Sequence, residues 1–350
     1  MTRPRFALAG AALGLLAVSL RAQDTSQFKF RSGVDLINVT ATVADADGRF
    51  VPNLTQDDFI VYEDDERVDV THFSAERVPV SLGIALDTSG SMAGEKMNAA
   101  RAAIGRFVNE LLDRNDELFL YRFSNYPVLV QGWTRDRRDL LDPLDRLTPN
   151  GATAMYDAVA KAIPLAQRGQ NRKKALVVIS DGNDTSSRTD IRDLKEQIRQ
   201  SEVLVYAVGI DGDGEQTVRR APVSPPRVPI PFPLPFPGAP RGGARYPPST
   251  PPPPIGGGNG GGSRQGRGLD DRVNISALRD MTDDSGGRTE IIRTPGDLGP
   301  ATAGIADELS KQYYLGYQSP GKRDGRWHAI RVDTKIRGYR VRARRGYFAS

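Results

Sequence analysis

Apolar positions change rhythm three times along the chain. Between residues 34 and 74 they partly alternate with polar ones, in VDLINVTATVA, DFIVYED and RVDVTHF, with a turn at DADG. Alternation of this kind predicts short, half-buried strands. At the far end WHAIRVDTK and YRVRARRGYF alternate again around Arg337-Gly338 and predict two more. Neither end carries enough apolar surface for an independent β-domain, so the N-terminal segment 23–78 and the C-terminal segment 319–350 are expected to build one small β-domain together.

The middle, 79–318, reads differently. Val80 to Leu86 is a near-continuous apolar run, as are ELFLYRFS, PVLVQGW, ALVVIS and VLVYAVGI. Between them lie helical patterns. One places Met97, Ala100, Ile104, Phe107, Val108 and Leu111 on one face; others span Asp139 to Leu147, Ala154 to Gln167 and Ile191 to Gln200. Two more run from Val273 to Met281 and from Leu298 to Lys311, the last before YYLGY. Pro164 is expected to kink or shorten its helix. Strands alternating with helices predict an α/β fold, a doubly wound, mostly parallel sheet with helices on both faces.

Composition adds an insertion and a leader. Residues 221–254 hold 15 of the 25 prolines, and 255–268 are largely glycine. No packed core can form from such a stretch, so 215–271 is expected to be a disordered insertion of polyproline and flexible coil. It leaves the carboxyl end of VLVYAVGI, where it would gate or extend a binding face, or be a tolerated loop. Residues 1–22 have the form of a signal peptide: Arg3 and Arg5, an apolar core from Phe6 to Leu20, and a small residue at Ala22. That core is too short for a transmembrane span, and no later run is long enough. With no cysteine in the chain, the expectation is an exported protein without disulfides, periplasmic or extracellular, in a bacterial envelope.

The formal charge is +5, of which Arg3, Arg5 and Arg21 belong to the leader, leaving +2. Such a balance argues against nucleic acid as a partner. Charge is unevenly spread, however. Residues 57–69 hold seven acidic side chains against Arg67, and 322–345 carry ten Lys or Arg against Asp324 and Asp333. Solvated strand faces and turns are the plain reading of both; the sharper one is that the two regions meet, Arg340, Arg342 and Arg344 pairing with the acidic one. The alternative is a strand face presenting three positive charges to polyanionic surface polymers.

Polar clusters sit where the apolar runs stop. They are Asp87-Thr-Ser89-Gly-Ser91, Gly151-Ala-Thr153 and Asp181-Gly-Asn-Asp184. In an open α/β sheet the loops at the carboxyl ends of parallel strands converge on one edge, where ligands bind. Each cluster alone is ordinary capping and turn chemistry. Together they offer two carboxylates and three hydroxyls, an all-oxygen set suited to a hard cation. Two carboxylates neutralise a divalent ion, and neutral hydroxyl contacts leave it with affinity for an anionic ligand. Asp211 and Asp213 in IDGDGE lie on the same edge and lack most of a calcium loop, so a solvated turn is expected there.

DTSGS at 87–91, GATAMYDAV at 151–159 and VVISDGND at 177–184 resemble the von Willebrand factor type A (VWA) domain. The flanks FIVYEDDERVDVTHF and YYLGYQSPG with VRARRGYF resemble a bacterial exported variety of it. The resemblance implies a Rossmann-like sheet in which PVLVQGW is an antiparallel edge strand. It also implies a metal-ion-dependent adhesion site formed by Asp87, Ser89, Ser91, Thr153 and Asp181. That site would hold Mg²⁺, with Mn²⁺ and Ca²⁺ as alternatives, and bind a carboxylate from a partner protein. A metal-assisted hydrolase is a third reading. It lacks support in motifs: there is no G-x-S-x-G, Walker-type loop or H-E-x-x-H. His72 and His328, the two histidines, are expected to be structural. No enzyme is expected.

Overall fold

The computed structural model describes residues 36–181, 184–210, 274–319 and 324–349. The expected signal peptide, the 215–271 insertion, and Asp211 and Asp213 lie outside the described residues. Four strands come first: β1 (Leu36–Ala44), β2 (Phe59–Glu63), β3 (Glu66–Val68) and β4 (Val70–Ser74). Next are β5 (Val80–Asp87), α1 (Glu95–Arg106), β6 (Glu117–Phe123), β7 (Pro127–Thr134), α2 (Arg137–Asp145) and α3 (Met155–Gln167). Then follow β8 (Lys173–Ser180), α4 (Ile191–Gln200), β9 (Leu204–Ile210), α5 (Ile275–Thr282), β10 (Thr289–Ile292) and α6 (Leu298–Lys311). The last strands are β11 (Tyr313–Gln318), β12 (Trp327–Thr334), β13 (Arg340–Ala343) and β14 (Gly346–Phe348).

The central sheet has the order β10-β9-β8-β5-β6-β7. Its pairs are parallel except for β7, which runs antiparallel to β6 at the edge. Every residue of β5 and β9 is buried, because helices cover both faces and an apolar strand can survive only there. One face packs on α1, α2 and α6, through Met97, Ile104, Leu140 and Ile305. The other packs on α3, α4 and α5, through Val159, Ile163, Leu194 and Leu278. Gly83 in β5 is dictated by this packing. A Cβ there would lie 2.1 Å from the Phe119 ring, which is itself held edge-on against Trp133, 4.7 Å between centroids.

Pro164 does not end α3, which runs on to Gln167. Proline removes one N–H and so frees the carbonyl four residues back. That carbonyl belongs to Ala160, and the Gln197 side chain of α4 donates to it at 2.8 Å.

The remaining strands form two four-stranded antiparallel sheets, β13-β1-β11-β4 and β14-β12-β2-β3. Each interleaves strands from the two ends of the described chain: β1 pairs β11 and β13, and β2 pairs β12. They share a core of Val39, Val43, Val61, Leu315 and Val332, with Phe50, Phe59 and Phe73 around the Tyr313 ring at 5.2 to 6.0 Å. β11, the YYLGY run, thus belongs to an antiparallel sheet and not to the α/β sheet with which its sequence was grouped.

The acidic and basic regions meet, but through different residues from those expected. His328 sits between Asp64 and Asp324, at 2.7 and 3.2 Å. Partial burial pulls its pKa down, and the hydrogen bonds to Asp64 and Asp324 outweigh this and raise it. Arg331 lies 3.8 Å from Asp65 and stacks over Tyr62. The three alternating arginines do not share a presented face. Arg340 is exposed, Arg342 pairs with Glu308 at 2.6 Å and Arg344 is buried beside Glu202. β13 ends at Ala343, so the two-residue period stops before Arg344.

Glu308 of α6 joins the layers. One of its oxygens accepts from Thr42 of β1 at 3.1 Å and from Tyr206 of β9 at 3.0 Å, and faces Arg342 of β13. The other lies 2.8 Å from Arg288 Nε. Gln312 donates to both Tyr206 and Thr42, closing the network. Burial, and then the Glu308 charge, push the Tyr206 phenol far above its usual range. Removing one partner of a buried ionic network strands the others. Glu308→Ala is therefore expected to lower unfolding stability by about 3 kcal/mol, read from the urea midpoint, whereas Arg340→Ala is expected to leave it unchanged.

Candidate functional site

Loops after β5 and β8, and the loop before α3, meet at one edge of the central sheet. The apolar run of β5 ends at Asp87, which is fully buried. Its carboxylate accepts from the Ser89 backbone N–H at 2.7 Å and from the Ser180 hydroxyl at 2.6 Å. Ser89 and Ser91 share a hydrogen bond of 3.0 Å, and Ser91 donates to Asp181 at 2.8 Å. Four of the five predicted residues are thus joined by hydrogen bonds, Asp87 through the Ser89 backbone N–H and the others through side-chain oxygens. Ser91 is exposed, so the set is buried at Asp87 and opens to solvent at its rim.

Thr153 is brought to the same edge through its backbone. Gly90 N–H donates to the Gly151 carbonyl at 3.0 Å and Asn150 N–H to the Thr88 carbonyl at 2.8 Å, clamping the two loops together. Gly151 holds φ at +81°, and a Cβ there would fall 2.8 Å from the Asn125 amide, which in turn accepts from Ala152 N–H. Only glycine fits this turn. Among the described residues the Thr153 hydroxyl makes no hydrogen bond to the other four.

Sequence reasoning missed two groups. Asp184 and Asp157 tie the loop after β8 to α3. Asp184 accepts from Tyr156 N–H at 2.8 Å and from Ser187, and Asp157 accepts from Thr189. Asp184 lay within the quoted motif, while Asp157 has no signal beyond its place in the first turn of α3. The second omission is Lys96 of α1, whose ammonium clamps the Asp181 carboxylate. A lysine at the second position of a helix carries no signal of its own.

The electrostatics follow from burial. Desolvation pushes the Asp87 carboxyl up to about 6, the Ser180 and Ser89 hydrogen bonds opposing it and the Asp181 charge adding to it. Asp181 is buried beside it, and the Lys96 ammonium supplies positive charge at the spot. The oxygen donors around it are of the kind a hard cation accepts. Among the described residues no three His, Cys, Asp or Glu side chains are grouped to hold a metal. Hydroxyls therefore have to supply part of any cation's coordination.

Residues 82–183 match the family model described as von Willebrand factor type A domain. The chain carries a VWA domain. The match begins in β5 and ends in the loop after β8, so it contains all five residues. Among curated proteins the chain is similar to inter alpha-trypsin inhibitor heavy chain 4 of Mus musculus, 24% identical over 193 residues, covering 44% of this chain and 20% of that protein. The Bos taurus counterpart is 22% identical over 140 residues, 37% of this chain and 15% of that protein. The chain thus spans at most a fifth of the length of these relatives. Among solved structures it is similar to a von Willebrand factor type A protein from Catenulispora acidiphila (TM-score 0.46, 14% identity, 89% of this chain and 73% of that one). It is also similar to BatB from Bacteroides thetaiotaomicron (TM-score 0.44, 20% identity, 66% and 98%).

Asp87 gives a pH signature in metal-free protein. A carboxyl whose folded pKa is raised from 3.8 to about 6 makes the native state bind the extra proton, so its ionisation lowers stability as pH rises between those values. Asp87→Asn keeps one acceptor oxygen and removes the charge. With chelator present, the variant is expected to match wild type in stability below pH 4 and to exceed it above pH 6 by up to about 3 kcal/mol. Urea unfolding across pH 3.5 to 8 checks this, and a pH-independent difference would refute it.

Proposed function

We propose that the VWA domain is a non-catalytic protein-binding module. Asp87, Ser89, Ser91, Thr153 and Asp181 hold a divalent cation, Mg²⁺ first among Mg²⁺, Mn²⁺ and Ca²⁺, and an acidic side chain of a partner protein completes its coordination. The observation that carries this reading is the hydrogen-bonded chain from Asp87 through Ser89 and Ser91 to Asp181, with the Lys96 ammonium already drawn onto Asp181. Two carboxylates balance the ion, and neutral hydroxyls leave it electrophilic toward an external carboxylate. The module acts outside the cytoplasm as an adhesion or scaffold unit. Among the described residues no helix is long and apolar enough to cross a membrane.

Lys96 bears on the metal's affinity. The ion and the ammonium compete for Asp181, so Lys96→Met is expected to bind Mg²⁺ roughly tenfold more tightly in calorimetry, a change of about 1.4 kcal/mol. Asp87→Ala is expected to bind none. For the partner, wild type and Asp87→Ala are each immobilised, with Mg²⁺ and with chelator, and exposed to envelope and culture fractions. A protein retained by wild type only with metal is the expected result. Equal retention in all four conditions would show that the metal edge is not the binding surface.

A further inference from the structure

A polar cavity lies at the opposite end of β8 from the edge that carries Asp87 and Asp181, roughly 23 Å away along the strand. It has a volume of about 300 Å³ and opens where β1 and β11 of the antiparallel layer meet the starts of β8 and β9. Its charged lining is Arg172, Lys173, Lys174 and Arg344 against a single carboxylate, Glu202. Lys173 is already spent: its ammonium donates to the Leu309 carbonyl of α6 at 2.8 Å. Arg172 and Lys174 have no ion-pair partner among the described residues, and both flank the cavity at the mouth of β8.

Arg344 is the unusual member. It is 9% exposed, and its guanidinium uses one nitrogen on Glu202 at 3.2 Å. Nε and Nη2 are buried and meet no acceptor among the described residues. A buried cation with idle donors is costly, because it has lost water and gained only part of a counter-charge. Glu202 is mostly exposed, 60% at its side chain, so its charge is screened by solvent and offsets little of that cost. Water entering the cavity would satisfy the donors and leave the charge excess in place. An oxyanion does both, since a guanidinium offers two parallel N–H groups to a carboxylate or phosphate.

We propose that this cavity is a binding site for a small oxyanion, a carboxylate or phosphate group of a soluble ligand, held by Arg344 at its base and by Arg172 and Lys174 at its rim. The volume suits a compact metabolite and not a protein segment. The site is independent of the metal edge and of the reading given to it.

The test uses full-length wild type with inorganic phosphate and with succinate, against sodium chloride at matched ionic strength, by calorimetry and thermal shift. Saturable binding at one site is expected for phosphate, succinate or both, and which anion binds identifies the ligand's charged group. Arg344→Gln is expected to weaken it tenfold or more, the loss of one charge-assisted hydrogen bond. Because Arg344 is buried, the rim variant Arg172→Ser/Lys174→Ser provides a second measure, with an expected loss of roughly three- to tenfold and an unchanged fold. Glu202→Gln is expected to tighten binding. Neither anion exceeding chloride, or binding undiminished in both arginine variants, would overturn the proposal.

Discussion

A carboxylate buried at a seam ties the parallel sheet and its helix α6 to the antiparallel layer. Glu308 projects from α6, which covers one face of the parallel sheet, and takes hydrogen bonds or charge from β1, β9, β13 and Arg288. A carboxylate without partners would be expelled from such a place, so its burial fixes where each partner must sit. Apolar packing gives the layers cohesion but tolerates sliding. The Glu308 network with Gln312 and Tyr206 does not, because each hydrogen bond has one geometry. The result is a sheet whose carboxyl edge is free for chemistry while its opposite end is locked to the antiparallel layer.

That division of labour decides what the sequence could reveal. Strands buried on both faces, such as VSLGIAL and LVYAVGI, are visible as apolar runs, since only a sheet covered by helices accommodates them. The polar residues that interrupt those runs stand out for the same reason, which is why Asp87, Ser89, Ser91 and Asp181 could be named before any coordinate. Thr153 was found by its glycine and by resemblance, and its place at the edge depends on the Gly90 to Gly151 hydrogen bond. β10 escaped: TEII is four residues beside two glycines, and its pairing with β9 is all that makes it a strand.

Long-range pairings were the less legible part. YYLGY reads as a strand in either layer, and register with Ile37, Val39 and Ala41 of β1, not local pattern, assigns β11 to the antiparallel one. Alternation suggested a common face for Arg340, Arg342 and Arg344. The strand stops at Ala343, and each arginine meets a different environment. Glu308 and Lys96 are ordinary helix residues in sequence, and their significance comes from what tertiary packing sets opposite them. Pro164 is the converse case, a local breaker made harmless by Gln197 on another helix.

The two ends of the central sheet share one electrostatic logic with opposite sign. At the carboxyl edge Asp87 and Asp181 are buried close enough for the Asp181 charge to help hold the Asp87 proton on, and the chain brings Lys96 to relieve them. At the other end Arg344, Arg172 and Lys174 gather with Glu202 as partial relief. In both places the protein's own counter-charge sits on a side chain that can swing away: Lys96 is a flexible ammonium at the rim, Glu202 an exposed carboxylate. On the readings proposed for the two ends, an external ion would have to displace an intramolecular ion pair at each: Lys96 from Asp181 at one, Glu202 from Arg344 at the other.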